Sequence, residues 1–118
     1  MAEHNESGKE AEQLGAEWLR EQGYEILHVN WRYSYFEIDI VAEKGDTLHI
    51  VEVKSRTSNY FGYPEESVGK RKFKKIQRAA DQYIYLFPKH KWLQYDILAI
   101  TMNDGINVEY FLLEDVFL

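Results

Sequence analysis

The chain is predicted to fold as an α/β (α+β) protein, with five strands in one mixed sheet flanked by two long helices. Three observations predict it. Two apolar runs within Phe36 to Arg56, FEIDIVAEKGDTLHIVEVKSR, meet across Gly45-Asp46 as a hairpin. A segment before that hairpin and another after it repeat their apolar residues at helical spacing. Two more apolar runs follow, on either side of Asn103-Asp104-Gly105. The expected order is therefore αβββαββ, in which an antiparallel first half, a helical crossover and two further strands give a mixed sheet. No repeat or linker interrupts the pattern, and 118 residues suit one domain spanning 1–118.

Composition limits where a function can be sought. Apolar residues make up 45% of the chain and aromatics 15%, enough for a packed core. The absence of cysteine excludes a disulfide framework and a thiolate metal site, and suits a reducing cytoplasm. The first residues are polar and charged, and no apolar run approaches the length of a membrane span, so a cytoplasmic protein with no membrane partner is expected. The formal net charge of −6 argues against general adhesion to nucleic acid; such binding must come from a local basic patch.

The first helix is expected from about Ser7 to Gln22. Ala11, Leu14, Gly15, Trp18 and Leu19 share one stripe, Ser7 and Glu10 have capping-box spacing, and Gly23 stands where helices commonly stop. Glu12 lies beside that stripe, on the ridge of Ala16 and Leu19, and from there could point along the sheet. Helix geometry alone favours a solvated acid in a first turn, stabilised by the helix dipole. Tyr24 to Arg32 follows as the first strand of a three-strand meander. His28 within it has the character of a surface or hydrogen-bonded structural residue and takes no role.

Gly45-Asp46 suits a type II′ turn, which makes Lys44 face Thr47. Counting back along both strands then puts Asp39 directly opposite Glu52, and Glu37 opposite Lys54; an odd loop would turn the two acids to opposite faces. Like charges facing each other on an antiparallel pair repel, and a carboxylate among Ile50, Val51 and Val53 loses its hydration. The arrangement calls for compensation by a bound divalent cation, a shared proton or the neighbouring Lys54.

After Arg56, TSNYFGYPEE reads as a loop whose Tyr60, Phe61 and Tyr63 either stack on bases or pack back onto the domain. From about Pro64 to Phe87 a second helix is expected, with Ile76, Ala79, Ala80, Tyr83, Ile84 and Phe87 in its stripe. Its early half carries Lys70, Arg71, Lys72, Lys74, Lys75 and Arg78. Such a cluster in an acidic protein is the electrostatic footprint of phosphate contact, and its plain alternative is a solvated basic face. Lys72 lies one turn before Ile76, so it leans toward the sheet. Pro88 ends the helix; Trp92 to Thr101 and Ile106 to Leu113 read as the last two strands, with Asp104-Gly105 in the turn between them.

An acid within a strand, Asp39, followed a hairpin later by Glu52-Val53-Lys54, resembles the core of the PD-(D/E)XK nuclease superfamily. The fuller match is to the bacterial YraN-like family. That pattern runs through Glu12, Gly23-Tyr24, Asn30 with Arg32, Glu37-Ile38-Asp39, Val51 to Lys54 with Arg56, Phe61-Gly62, Lys72, Ala80 and Tyr95-Asp96. The resemblance covers nearly the whole chain, and the ordered set is far more specific than Glu-Val-Lys alone. It implies a restriction endonuclease-like fold, similar to that of Holliday junction resolvases. Ala11 and Phe36 stand where the family usually has Gly. Phe36 is expected to narrow a nucleic-acid groove or reshape the start of its strand, which bears on substrate fit more than on metal binding.

What the resemblance implies is a divalent-metal-dependent endonuclease-like hydrolase with Glu12, Asp39, Glu52 and Lys54 as catalytic set. Asp39, Glu52 and the backbone carbonyl of Val53 would offer oxygen ligands to Mg²⁺ or Mn²⁺, and Glu12 would hold the metal directly or through water. Lys54 would orient the attacking water and offset phosphoryl charge. Lys72 would contact phosphate or complete the rim, within a nucleic-acid-binding set of Lys70, Arg71, Lys72, Lys74 and Lys75. Asp96 suits support of the site and a structural hydrogen bond equally, and stays outside the catalytic set. The expected substrate is DNA, structured or single-stranded, including Holliday junction-like forms. A resolvase-like reaction would ask for a symmetric homodimer, since two strands need matching cuts, but no dimer surface is readable. The alternative is a non-catalytic nucleic-acid-binding module on the same fold.

Overall fold

The computed structural model describes residues 6–56, 69–89, 92–103 and 107–116 of the chain. The elements follow the expected αβββαββ order: α1 (Glu6–Glu21), β1 (Glu25–Tyr33), β2 (Phe36–Lys44), β3 (Thr47–Arg56), α2 (Lys70–Leu86), β4 (Trp92–Asn103) and β5 (Asn107–Leu113). The strands form one five-stranded mixed sheet in chain order. Only the β3–β4 step, bridged by α2, is parallel; the other neighbours are antiparallel. The side chain of Ser7, the aromatics Tyr60, Phe61 and Tyr63, the segment from Pro64 to Val68 and the Asp104-Gly105 turn lie outside the described residues. No helix among the described residues is long and apolar enough to cross a membrane.

Local chemistry sets the boundaries. Gly23, at φ +97°, closes α1: its N–H donates to Arg20 O and the Tyr24 N–H donates to Leu19 O, both at 3.0 Å. Gly45 has φ +63°, as the first centre of a II′ turn requires, and Lys44 faces Thr47 as expected. The described second helix starts at Lys70, with Gly69 as its N-cap: the backbone there is extended and the Gly69 carbonyl accepts from the Phe73 N–H at 2.9 Å. Phe87, expected on the buried stripe, is the C-cap and is exposed, whereas Phe73 is buried against Ile97 and Val116.

The two helices cover opposite faces of the sheet. Ala11, Ala16 and Leu19 of α1 pack on Ile40, Val51, Leu98 and Ile100. Ala79, Ala80 and Tyr83 of α2 pack on Ile38, Val41, Leu48 and Ile50. Full burial of a side chain such as Leu19 or Ile40 contributes about 1.5–3 kcal/mol relative to leaving it in water. α1 seats very close to the sheet at Gly15, where a Cβ would stand 3.0 Å from Leu98 Cδ2 and 3.3 Å from Ile40 Cδ1.

Strand alternation breaks on β1 and β2 at the same level. On a regular strand, residues two apart share a face. Here Val29 and Ile40 pack on the α1 side, while Trp31 and Ile38 pack on the α2 side. Val29 pairs with Ile40 and Trp31 with Ile38, so the breaks fall at Asn30 and Asp39. Asn30 has φ +55°, a left-handed conformation that Asn tolerates better than most residues. The β2–β3 pairing ends at Ile40–Val51, while the β1–β2 ribbon continues to Tyr33–Phe36. The register matches the expectation, but the paired stretch stops one residue short of Asp39 and Glu52. The oppositions expected for Asp39–Glu52 and Glu37–Lys54 are therefore not ladder pairs; Glu37 meets Arg32 of β1 instead, at 2.9 Å.

Candidate functional site

Three elements deliver one acid each to the place where β2 parts from β3. Glu12 comes from α1, Asp39 from the break in β2 and Glu52 from β3, and they are only 3%, 4% and 7% exposed. Val53, paired with Leu98 of β4 but lying beyond the last β2–β3 ladder pair, donates its N–H to Asp39 Oδ2 at 2.9 Å. Asp39 also makes side-chain hydrogen bonds with both Glu12 and Glu52. The solvated position that helix geometry favours for Glu12 is thus overturned. The close seat of α1 at Gly15 and the break at Asp39 bring the two carboxyls together.

Burial dominates the electrostatics. It pushes the Asp39 carboxyl up to about 6, opposed by the Val53 N–H and reinforced by the charge of Glu12. Glu52 is pushed up to about 7, again by burial first, then by the charge of Asp39, with Lys72 opposing. Glu12 is raised in the same direction by its own burial. The sequence points to Lys54 as the compensating ammonium, but the one that meets Glu52 belongs to Lys72: its Nζ lies 2.7 Å from Glu52 Oε2. Lys54 is half-buried and two residues beyond Glu52, hence on its strand face, but it does not line the cleft above the acids.

That cleft has a volume of about 760 Å³, and Glu37, Asp39 and Glu52 are among the residues that line it. Arg71, Lys72, Lys75, Ile76 and Arg78 of α2 form one wall, and Tyr35 and Phe36 of the β1–β2 hairpin also line it. Arg71, Lys75 and Arg78 recur at i, i+4 and i+7, which puts them on one helix face. Of the expected nucleic-acid-binding set, Arg71, Lys72 and Lys75 reach the cleft; Lys70 and Lys74 are exposed outside it. Arg32 Nε donates to Asn30 Oδ1 at 3.3 Å while the same guanidinium holds Glu37, which ties the break on β1 to the cleft rim.

Asp96 belongs elsewhere. It shares a sheet face with Leu98 and Ile100, opposite to that of Glu52, and its carboxylate takes His49 Nδ1 at 2.7 Å, Gln94 Nε2 at 2.9 Å and the Asp115 N–H at 3.0 Å. The Tyr24 ring meets His49 edge-on, with centroids 4.9 Å apart. This is a buried structural knot, and His49 at its centre carries no motif that marks it in the sequence. Its alternation with Val51, which puts it under α1, was the available signal.

Among the described residues, no group of three or more His, Asp and Glu side chains forms a ready-made metal cluster. The donors at the cleft are nevertheless hard carboxylate oxygens held near neutral pKa by burial first and by one another's charge after it, a state that a divalent cation would relieve. Mg²⁺ commonly takes one or two carboxylates and keeps several waters, so Asp39 and Glu52 would be the residues to hold one, with Glu12 behind Asp39.

Comparison with known proteins settles the family. The family model described as Uncharacterised protein family UPF0102 matches residues 11–100. The chain belongs to the UPF0102 (YraN-like) family. The UPF0102 protein of Bacteroides thetaiotaomicron is 47% identical over 105 residues, which cover 89% of this chain and 87% of the relative. That of Christiangramia forsetii is 39% identical over 118 residues, covering 99% and 98%. That of Persephonella marina is 42% identical over 103 residues, covering 86% and 89%. The UPF0102 match contains Glu12, Asp39, Glu52, Lys54 and Lys72, so the whole acid site falls within the family region.

Proposed function

We propose that this UPF0102 chain is a divalent-metal-dependent nuclease-like protein that hydrolyses phosphodiester bonds in DNA, structured or single-stranded, including Holliday junction-like forms. One observation carries the reading: Asp39 and Glu52, with Glu12 behind Asp39, stand at a cleft walled by Arg71, Lys72, Lys75 and Arg78. Cations at the rim draw a phosphodiester toward acids that would otherwise repel it. The Val53 N–H fixes the Asp39 carboxylate, and Glu52 stands beside it under the Lys72 ammonium. Mg²⁺ or Mn²⁺ held by Asp39 and Glu52 would supply Lewis acidity and lower the pKa of a water. Lys72, reaching into the cleft from α2, offsets charge on the phosphoryl oxygens; Lys54, on the strand face of Glu52 but outside the cleft lining, would have to turn its flexible side chain toward the acids to orient water. The resemblance to PD-(D/E)XK nucleases in Asp39 and Glu52-Val53-Lys54 supports the same chemistry.

A non-catalytic nucleic-acid-binding module is the second reading, favoured by the 2.7 Å contact through which Lys72 already compensates Glu52. Labelled branched, single-stranded and duplex DNA incubated with Mg²⁺ or Mn²⁺ separates the two. Metal-dependent cutting by the intact protein that disappears in Asp39→Ala and Lys54→Ala establishes the nuclease. No cutting, together with salt-sensitive binding that survives both substitutions, establishes the binding module.

A further inference from the structure

The β1–β2 hairpin carries a residue that the catalytic reading leaves unused. Tyr35 is 98% exposed, yet it lines the same cleft as Asp39 and Glu52. It sits in the two-residue turn between the paired Tyr33 and Phe36, after Ser34 at φ +58°. Trp31 and Tyr33 stack with centroids 6.2 Å apart, and Trp31 meets Tyr83 of α2 edge-on at 5.2 Å. The ribbon is thereby pinned to α2, and its aromatic tip is held beside the cationic wall. At that exposure the Tyr35 ring contributes almost nothing to the core.

We infer that Tyr35 is a base-stacking residue and that the cleft takes a single-stranded nucleic-acid segment. This rests on the phosphodiester reading of the acid site, although stacking itself needs no metal. In a duplex the base faces are covered by their neighbours, so an aromatic ring offered at the cleft has a partner only where bases are unpaired. Size points the same way. A cleft of about 760 Å³ is of the order of a small-molecule pocket, roughly 300–1,000 Å³, so what enters it as far as the acids is part of one strand. Asp39 and Glu52 are too buried for a phosphate lying outside that cleft to meet them. Charge is arranged to match: Arg71, Lys75 and Arg78 face phosphates from α2, and Tyr35 presents its ring from the hairpin.

The test measures binding of the full chain, without divalent cations and at low salt, to a labelled single strand bearing a fluorescent adenine analogue and to the fully paired duplex of the same sequence. The single strand should bind more tightly, with a change in the analogue's fluorescence that reports stacking. Tyr35→Ala should weaken it by about 5- to 150-fold and abolish the fluorescence change, leaving duplex binding as it was. Tyr35→Trp should retain both signals, and an unchanged melting temperature for each variant shows that the fold is kept. Equal weakening of both substrates, no weakening by Tyr35→Ala, a preference for duplex, or no binding by the intact protein would each overturn the inference. Divalent-cation binding at Asp39 and Glu52, measured separately by calorimetry on the same variants, tells failure of the metal-site reading from failure of this one.

Discussion

Lys72 Nζ and Glu52 Oε2 meet at 2.7 Å, joining the cationic helix α2 to the acid cluster on the strands. Lys72→Met leaves Glu52 buried without its cation. At about pH 8, above the raised Glu52 value of about 7, the variant should lose about 1–3 kcal/mol. The loss should shrink at about pH 5, where Glu52 carries a proton, and in the double variant with Glu52→Gln. Urea denaturation of the four proteins as a double-mutant cycle reads this directly.

The carboxyls of Asp39 and Glu52 both stand above their ordinary values of 3.8 and 4.5, at about 6 and about 7. Folding therefore favours their protonated forms. The stabilisation is complete below about pH 4 and fades as pH rises through about 6 to 7, since the unfolded chain has by then released protons that the folded chain still holds. Their contribution should fall by a few kcal/mol, on the order of 1.4 per pKa unit, between about pH 4 and pH 8. Asp39→Asn with Glu52→Gln should flatten that slope in denaturant titrations.

If Asp39 and Glu52 hold a divalent cation, Mn²⁺ should raise the melting temperature most where the carboxyls are ionised. The shift should be present at about pH 8, small at about pH 5, and absent from Asp39→Asn at both. Differential scanning fluorimetry is sufficient to measure it.

Asn30 holds its left-handed conformation at the level where β1 and β2 both change face. Asn30→Val should destabilise the protein by about 1–2 kcal/mol, because a β-branched residue resists positive φ. It should also speed hydrogen exchange of the Val53 amide, whose partner Asp39 lies at the matching break. Asn30→Gly, which meets no such steric resistance, should keep Val53 protected.

Asp96→Ala strands three donors, from His49, Gln94 and Asp115, in or beside the core. Stability should fall by about 2–4 kcal/mol on the usual penalty for buried groups without partners, while Mn²⁺ still raises the melting temperature. Loss of the metal response in a folded Asp96→Ala protein would place Asp96 functionally with the acid site.

Much of this was legible in residue spacing. Gly45-Asp46 determines where the central hairpin turns and hence its register, and the 3.6-residue rhythm of Ala11 to Leu19 and Ile76 to Ile84 identifies both helices. The lean of Lys72 toward the sheet was visible in the same rhythm, one turn before Ile76. Sequence spacing fails where a strand stops alternating. Nothing in NWRYSYFEID announces that Asn30 and Asp39 reverse the faces of their neighbours, so spacing alone puts the acids in a ladder pair and not in an opening between strands. The burial of Glu12 was hidden for a related reason: a helical ridge says which side a residue stands on, and the sheet beneath decides whether water reaches it. Phe73 escaped notice among lysines, and Gly69 as an N-cap lacks the side-chain signal that Ser or Asp would give.

Gly15 has no chemistry of its own, but it governs the altitude of α1 over the sheet. Any side chain there must first displace the methyl group of Leu98, only 3.0 Å from where its Cβ would stand. Glu12 rides one turn upstream, so raising the helix at Gly15 would draw its carboxyl back from Asp39 while leaving both acids in the sequence. A hydrogen atom in place of a carbon at this point keeps α1 low enough for an acid on a helix to touch an acid on a strand.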